Sequence, residues 1–371
     1  MKKTISVLAA VMTAFSLCFT CCGAPEDISA YSAVVINADT GEILFEKNAH
    51  EQRAIASTTK IMTTLLTLEA GQPDRLFTVD SMAIRVEGTS MGLKEGDIVS
   101  RRALCYGMLL PSGNDAANAA AVSVSGSMNA FADEMNRKAA EIGMVNTHFV
   151  NPSGLDAEGH YSTAYDMAVL TRYALKNHEF SRICASSSAS LEYGNPPYRR
   201  TLYNSNKLLA QYDGCIGVKT GFTDEARRCL VSAAERDGKT VIAVTLNAPD
   251  DWSDHAQLLD YGFSQLTAFE ISPESFTLPV FGSETREIRI SPESNVSVGL
   301  RENEQQFISI EYYLPSFVYA GIYKGEQLGM AKIYYKNTEV AAVTLLADSA
   351  CIRKTPEKDV FGQIKEIFGI S

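Results

Sequence analysis

Hydrophobic positions change period several times along the 371-residue chain, and each change marks an element. Residues 5–20 are almost continuously apolar, follow Lys2 and Lys3, and give way to the small residues Cys22, Gly23 and Ala24. That order, in a run short for a bilayer-crossing helix, reads as an export signal over residues 1–24. A retained N-terminal anchor and a lipid-modified Cys21 or Cys22 are the other readings. Next, "SAVVIN" and "EILFEKN" flank Asp39, Thr40 and Gly41, which predicts a β-hairpin within residues 31–48. From Ser57 the spacing turns helical. Ile61, Met62, Leu65, Leu66 and Leu68 share one broad face, and Gly71 ends the run. Further helices are predicted over residues 101–110, stopped by Pro111, from Asp115 in an alanine-rich stretch, and over 131–144. Another is predicted over 162–176, where Thr163 and Asp166 are spaced as a capping box. "IGVKTGF", "RCLVSAAE" and "KTVIAVTLN" read as strands, the last two joined by Asp237 and Gly238, and residues 254–263 return to helical spacing.

Strands at both ends of this stretch and helices between them predict one α+β domain over residues 25–265, its sheet assembled from both ends. Residues 266–355 differ: short alternating runs such as "REIRIS", "NVSVGL", "FISIEYYL", "AGIYKG", "LGMAKIYYK" and "AAVTLLA" are separated by polar turns. They predict a small all-β domain, a sandwich or a barrel. Residues 356–371 set Val360, Phe361, Ile364, Ile367 and Phe368 on one face of an amphipathic helix. It would lie on a membrane or pack on the β-domain. Its polar face mixes Glu357, Asp359 and Glu366 with Lys358 and Lys365, which weakens attraction to anionic lipid.

Charge narrows the partners. The net charge is −11, and it becomes −13 without the signal, which carries two lysines and no acid. A chain this acidic does not track nucleic-acid phosphates. Beyond the signal, Cys105, Cys184, Cys215, Cys229 and Cys351 are scattered and odd in number, and read as small buried residues. A Cys215–Cys229 disulfide stays open. The five histidines form no ligand cluster, so neither a metal nor another cofactor is expected.

The candidate chemistry lies in three short motifs. Ser57 and Lys60 stand three positions apart at a helix start, so their side chains are neighbours. A serine hydroxyl needs a base within reach, and a lysine serves once burial and nearby cations leave it neutral. Alone this is weak, since roughly one or two such matches arise by chance in a chain of this size. Singly, Ser57 is more often a cap, Lys60 a surface lysine and Asn114 a turn former. Ser112-x-Asn114 follows in a loop after Pro111, and Lys219-Thr220-Gly221 lies in a strand. Each motif falls where its structural context predicts. A side chain at Gly221 would crowd an extended peptide docking alongside that strand.

This order of SxxK, SxN and KTG, with the phrases "ASTTKIMT", "PSGNDAA" and "VKTGFT" and a trailing β-domain, resembles the low-molecular-mass penicillin-binding proteins. Among these it resembles the serine-type D-alanyl-D-alanine carboxypeptidases, over most of residues 31–263. The resemblance implies a β-lactamase/DD-peptidase-like catalytic domain, a helical cluster on an antiparallel sheet. It also implies removal of the terminal D-alanine from peptidoglycan stem peptides, with β-lactams as covalent inhibitors. It assigns Ser57 as the acylated nucleophile, Lys60 as its base and Ser112 as the proton relay. Asn114 would hold the substrate amide, and Lys219 and Thr220 the terminal carboxylate. The N–H groups of Ser57 and Phe222 would form the oxyanion hole. No extra arginine for the carboxylate stands near Asp250, Asp251 and Trp252.

Three rivals remain. A class A β-lactamase needs an ExxLN loop between the second and third motifs, and "NPSGLDAEGHYS" has Glu158 without that pattern. A DD-endopeptidase would carry the same motifs. A non-catalytic β-lactam sensor or wall-binding scaffold would lack part of the set, which is intact here.

Overall fold

The computed structural model describes residues 23–353, which fall into two compact units divided after Thr267. The export-signal run and the helix expected at 356–371 lie outside the described residues. The first unit begins with β1 (Ser32–Asn37), β2 (Ile43–Lys47), α1 (Lys60–Glu69), β3 (Leu76–Thr78), β4 (Ile98–Ser100), α2 (Arg101–Leu109), α3 (Asn114–Ser125) and α4 (Met128–Ile142). It continues with α5 (Ala164–Leu175), α6 (His178–Cys184), β5 (Ser188–Gly194), β6 (Pro197–Tyr203), a short α7 (Leu208–Gln211), β7 (Cys215–Thr223), β8 (Arg227–Arg236), β9 (Lys239–Leu246) and α8 (Asp251–Ser264).

The two ends of the unit meet in one antiparallel sheet ordered β2-β1-β9-β8-β7, with the helices packed on it as expected. Successive side chains of a strand point to opposite faces. Val34, Ile36, Val231, Ile242 and Val244 therefore face the cluster of α1 to α6, while Ala33, Val35, Leu230, Val241 and Ala243 face Leu258, Leu259 and Phe263 of α8. Both faces being covered, these strands read as continuous apolar runs without polar alternation. Gly262 lets α8 settle closely: a Cβ there would lie 2.6 Å from Val241 Cγ1 and 2.9 Å from Val35 Cγ1. His255 of α8 is fully buried against the sheet, bonded through Nδ1 to Ser232 Oγ and through Nε2 to Thr245 Oγ1. Burial pushes its pKa down to about 3.

The second unit is all-β: β10 (Thr267–Ile271), β11 (Phe276–Phe281), β12 (Glu287–Pro292), β13 (Val296–Leu300), β14 (Ile308–Tyr313), β15 (Val318–Tyr319), β16 (Gln327–Tyr335) and β17 (Thr338–Ala347). A six-stranded sheet runs β14-β16-β17-β12-β11-β15, and β10 pairs with β13. Leu278, Val280, Ile288, Ile290, Ile333 and Leu345 form its core.

Two expectations change, and the cysteines are as read. Residues 320–325, read as a strand run, are a turn region, and only the two-residue β15 precedes them. The capping box at α5 is half formed: Thr163 Oγ1 accepts the Asp166 N–H at 3.0 Å, but the Asp166 carboxylate accepts from Asn146 N (2.8 Å) and Thr147 Oγ1 (2.7 Å). That carboxylate fixes the α4–α5 connection instead. All five described cysteines that follow the signal are free, and in the β7–β8 register Cys215 faces Ala234 while Cys229 faces Gly221, too far along the pair to bridge. Among the described residues no helix is long and apolar enough to cross a membrane, and no cluster of three His, Cys, Asp or Glu side chains could hold a metal ion.

Candidate active site

Ser57 does not cap a helix. It sits in a single 3-10 turn, Ala56–Thr59, that runs directly into α1. The turn is braced from its own side chains: Thr58 Oγ1 donates to Ile55 O at 2.6 Å and Thr59 Oγ1 to Ala56 O at 2.8 Å. Ala56 itself takes a left-handed φ of +48°, a conformation that a residue with a Cβ holds only when its surroundings enforce it.

Lys60, the first residue of α1, is fully buried. Its Nζ lies 2.8 Å from Ser57 Oγ, 2.7 Å from Asn114 Oδ1 and 2.7 Å from the Ser153 carbonyl. The last two are acceptors only, so they take two amine protons. The third position then suits either an ammonium proton or, in the neutral amine, a lone pair facing the Ser57 hydroxyl. Burial comes first and the Lys219 charge second in pushing the Lys60 pKa well below its ordinary value, with Asp115 opposing them. The environment therefore favours the amine, the form that can accept a proton.

The Ser112-Gly113-Asn114 turn joins α2 to α3. Ser112 has φ +66° and is buried. Its carbonyl accepts from Thr89 Oγ1 at 2.6 Å, and Asn114 N donates to Thr89 O at 2.7 Å. Asn114 Nδ2 donates to Glu87 O at 2.7 Å. Both ends of that side chain are thus engaged, one of them orienting Lys60. Asp115, in the first turn of α3, does not cap it: its carboxylate accepts from Met91 N, Gly92 N, Leu93 N and Ser90 Oγ, pinning the 90–93 loop against the turn.

The third motif lies on β7, at the sheet edge. Lys219 is 1% exposed, its Nζ is 2.9 Å from Thr220 O, and burial pushes its pKa down to about 7. Thr220 Oγ1 is 2.9 Å from Ser205 Oγ. A Cβ on Gly221 would stand 3.1 Å from Ser57 N and 3.2 Å from Ile55 O. Close passage of β7 over the Ser57 turn is therefore itself a reason for glycine. Phe222, next along the strand, is 58% exposed.

Residues 20–250 match the family model described as D-alanyl-D-alanine carboxypeptidase, and residues 272–352 match that of the penicillin-binding protein 5 C-terminal domain. The chain belongs to the D-alanyl-D-alanine carboxypeptidase family. It is 34% identical to D-alanyl-D-alanine carboxypeptidase DacF of Bacillus subtilis, over 88% of this chain and 86% of that one. The crystal structure of the Streptomyces K15 DD-transpeptidase is 33% identical with a TM-score of 0.62, covering 65% of this chain and 100% of its own. That of D-alanyl-D-alanine carboxypeptidase DacD from Francisella tularensis is 26% identical with a TM-score of 0.62, covering 93% and 98%. The chain is a serine-type D-Ala-D-Ala carboxypeptidase.

Against this family background, the structure joins Ser57, Lys60 and Asn114 in one hydrogen-bonded cluster and lays Gly221 on Ser57. What the motifs did not reveal are the backbone acceptors. The Ser153 carbonyl is aimed by Asn151, whose Oδ1 accepts from Ser153 N and Gly154 N and whose Nδ2 donates to Leu155 O. An Asn two residues before a Ser-Gly pair is a signature of such a side-chain-closed turn, and could have flagged the loop. Space also brings an arginine to Asp251. Arg228, opposite Phe222 on β8, donates to Asp251 Oδ1 from Nε (3.0 Å) and Nη2 (2.7 Å), so its charge is already paired.

Proposed function

We propose that Ser57 is the nucleophile of this carboxypeptidase and Lys60 its general base, a reading supported above all by the three short contacts of the buried Lys60 amine. The Ser57 proton passes to Lys60 as Oγ attacks the carbonyl carbon of the penultimate D-alanine. The N–H groups of Ser57 and Phe222 receive the oxyanion. The C–N bond breaks, Ser112 relays a proton to the departing amine, and free D-alanine leaves. Water then cleaves the ester, releasing the shortened stem peptide and restoring the Ser57 hydroxyl. Lys219 and Thr220 hold the terminal carboxylate, and Asn114 gives a second amide proton to the substrate while it orients Lys60. A penicillin acylates the same oxygen.

An amine taking the place of water would turn the acyl-enzyme toward transpeptidation, the activity for which the Streptomyces K15 structure is named. A bridging amide as substrate would make the chain an endopeptidase. The lysine-rich start and the apolar run of residues 1–24 support export, with residues 25–265 as the peptidase domain facing the cell wall and 266–355 as a separate β-domain. The amphipathic pattern of 356–371 supports peripheral membrane contact. The deciding experiment incubates the chain without residues 1–24 with a fluorescent penicillin and with diacetyl-Lys-D-Ala-D-Ala, wild type beside Ser57→Ala. Stable labelling with D-alanine release, both lost in the variant, is expected. Rapid penicillin turnover would indicate a β-lactamase, and labelling without D-alanine release an endopeptidase or a sensor.

A further inference from the structure

His160 is buried and has no part in the chemistry above, yet its two hydrogen bonds join its own loop to the turn that carries Ser57. The Val150 N–H donates to its Nδ1 at 3.0 Å, so the ring proton sits on Nε2, which faces Thr59 Oγ1 at 2.9 Å. The Thr59 hydroxyl in turn donates to the Ala56 carbonyl. Ala56 is the left-handed residue immediately before Ser57. All donors in this chain point one way, and it ends on the peptide plane that carries the Ser57 N–H.

The same histidine belongs to the loop that supports Lys60. His148 and Tyr161 close residues 148–161 with a pair of backbone bonds, and the next residue, Ser162, exchanges backbone bonds with Arg53. Within that closed loop stand Ser153, whose carbonyl touches Lys60, and Gly154, which fits against the Ala56 carbonyl. His160 is thus a side chain that fastens the loop supporting Lys60 to the Ser57-bearing turn. The groups facing its ring are Phe149, in edge contact at 5.8 Å, with His148 and Asp156 as the nearby titratable neighbours. A purely apolar side chain would fill the space beside Phe149 as well, but would leave Thr59 Oγ1 and Val150 N–H without this partner.

We propose that His160 is a positioning residue for acyl transfer: through Thr59 it fixes the Ala56 carbonyl, and with it the aim of the Ser57 hydroxyl and N–H. The proposal rests on Ser57 being the nucleophile. Its test measures the limiting acylation rate and the preceding binding constant of full-length chain with a fluorescent penicillin. Positional errors of this size cost about ten- to hundredfold in rate. His160→Leu and Thr59→Val should each slow acylation by that factor, with the binding constant within about threefold of wild type. Two cuts in one chain do not add, so the double variant should be no slower than the slower single. His160→Gln, whose amide N–H can reach Thr59, should recover most of the rate. Wild-type rates in the Leu and Val variants, multiplied losses in the double, or a His160→Gln as slow as His160→Leu would each overturn the proposal. Should His160→Leu fail to fold, Thr59→Val against Thr59→Ser decides: a rate gap of about tenfold supports it, equal rates overturn it. Failure of the nucleophile reading looks different, since Ser57→Ala would then still take the label.

Discussion

Replacing Gly154 with alanine adds one methyl group, and the structure shows where that methyl must go. Gly154 has φ +83°, and a Cβ there would fall 1.9 Å from the Ala56 carbonyl oxygen and 2.8 Å from Thr59 Oγ1. Carbon and carbonyl oxygen approach to about 3.3 Å at closest, so one side must move by about 1.4 Å. The oxygen is held by Thr59 and belongs to the residue before Ser57, so the displacement passes straight to Ser57. A misplacement near 1 Å costs about a hundredfold in rate. The left-handed backbone adds about 1–2 kcal/mol of strain to any residue with a Cβ. Gly71 is the matched control: its φ is +71° and nothing stands within 4 Å of its added Cβ. Gly71→Ala should lose stability by that strain alone and acylate at the wild-type rate. Gly154→Ala should lose comparable or greater stability and about two orders of magnitude in penicillin acylation, measured on protein shown by thermal melting to be folded. If Gly154→Ala is folded and acylates within threefold of Gly71→Ala, the close fit of the 151–155 loop on the Ser57 turn is not what aims Ser57.

The other predictions concern charge. Lys219, pushed down to about 7 by burial, disfavours its charged form in the folded state, so its contribution is lost as pH falls from its unfolded value near 10.5 toward 7. Lys219→Met should therefore abolish D-alanine release yet stabilise the fold at pH 7 by a few kcal/mol, about 1.4 per pH unit at most, with the gain falling below about 1 kcal/mol at pH 10; an unchanged or lowered melting temperature at pH 7 would contradict this. His255 and His160, lowered to about 3 and about 4, likewise withdraw stability as pH falls below 6.5. Urea melts at pH 5 should show a loss of up to about 2 kcal/mol per histidine relative to pH 7, reduced in His255→Gln. Asn114→Leu removes an acceptor of Lys60 and the link to Glu87, and should slow acylation by about ten- to hundredfold while penicillin still labels Ser57 alone; an unchanged rate would show that the Ser153 carbonyl suffices to aim the amine.

Much of this architecture is legible in the residues, for reasons that also explain the gaps. The hairpin of β1 and β2, the helical face of α1 and the turn at Asp237 and Gly238 follow from periodicity and turn chemistry that act locally. The motifs also pointed to Ser57, Lys60 and Asn114, whose side chains the structure brings together, because each carries a distinctive functional group. The Ser153, Glu87 and Ala56 carbonyls have no such label, since every residue offers the same acceptor. Nor do His160 and Asp115 stand out in the chain, because their partners, Thr59 and the 90–93 amides, are brought near only by the fold. Gly221 has a neighbour that its motif does not show: the Ser57 turn crowds it, a contact between segments more than 160 positions apart in the chain. Asp166 satisfied the spacing of a capping box, but Asn146 and Thr147 compete for its carboxylate and win.

The most direct test of the central claim is peptide mapping by mass spectrometry of the chain after incubation with a penicillin. A single acyl adduct is expected on the peptide containing Ser57, absent from Ser57→Ala and slow to form when Lys60 is replaced by methionine. An adduct on any other residue, or a folded protein that acquires none, would contradict it.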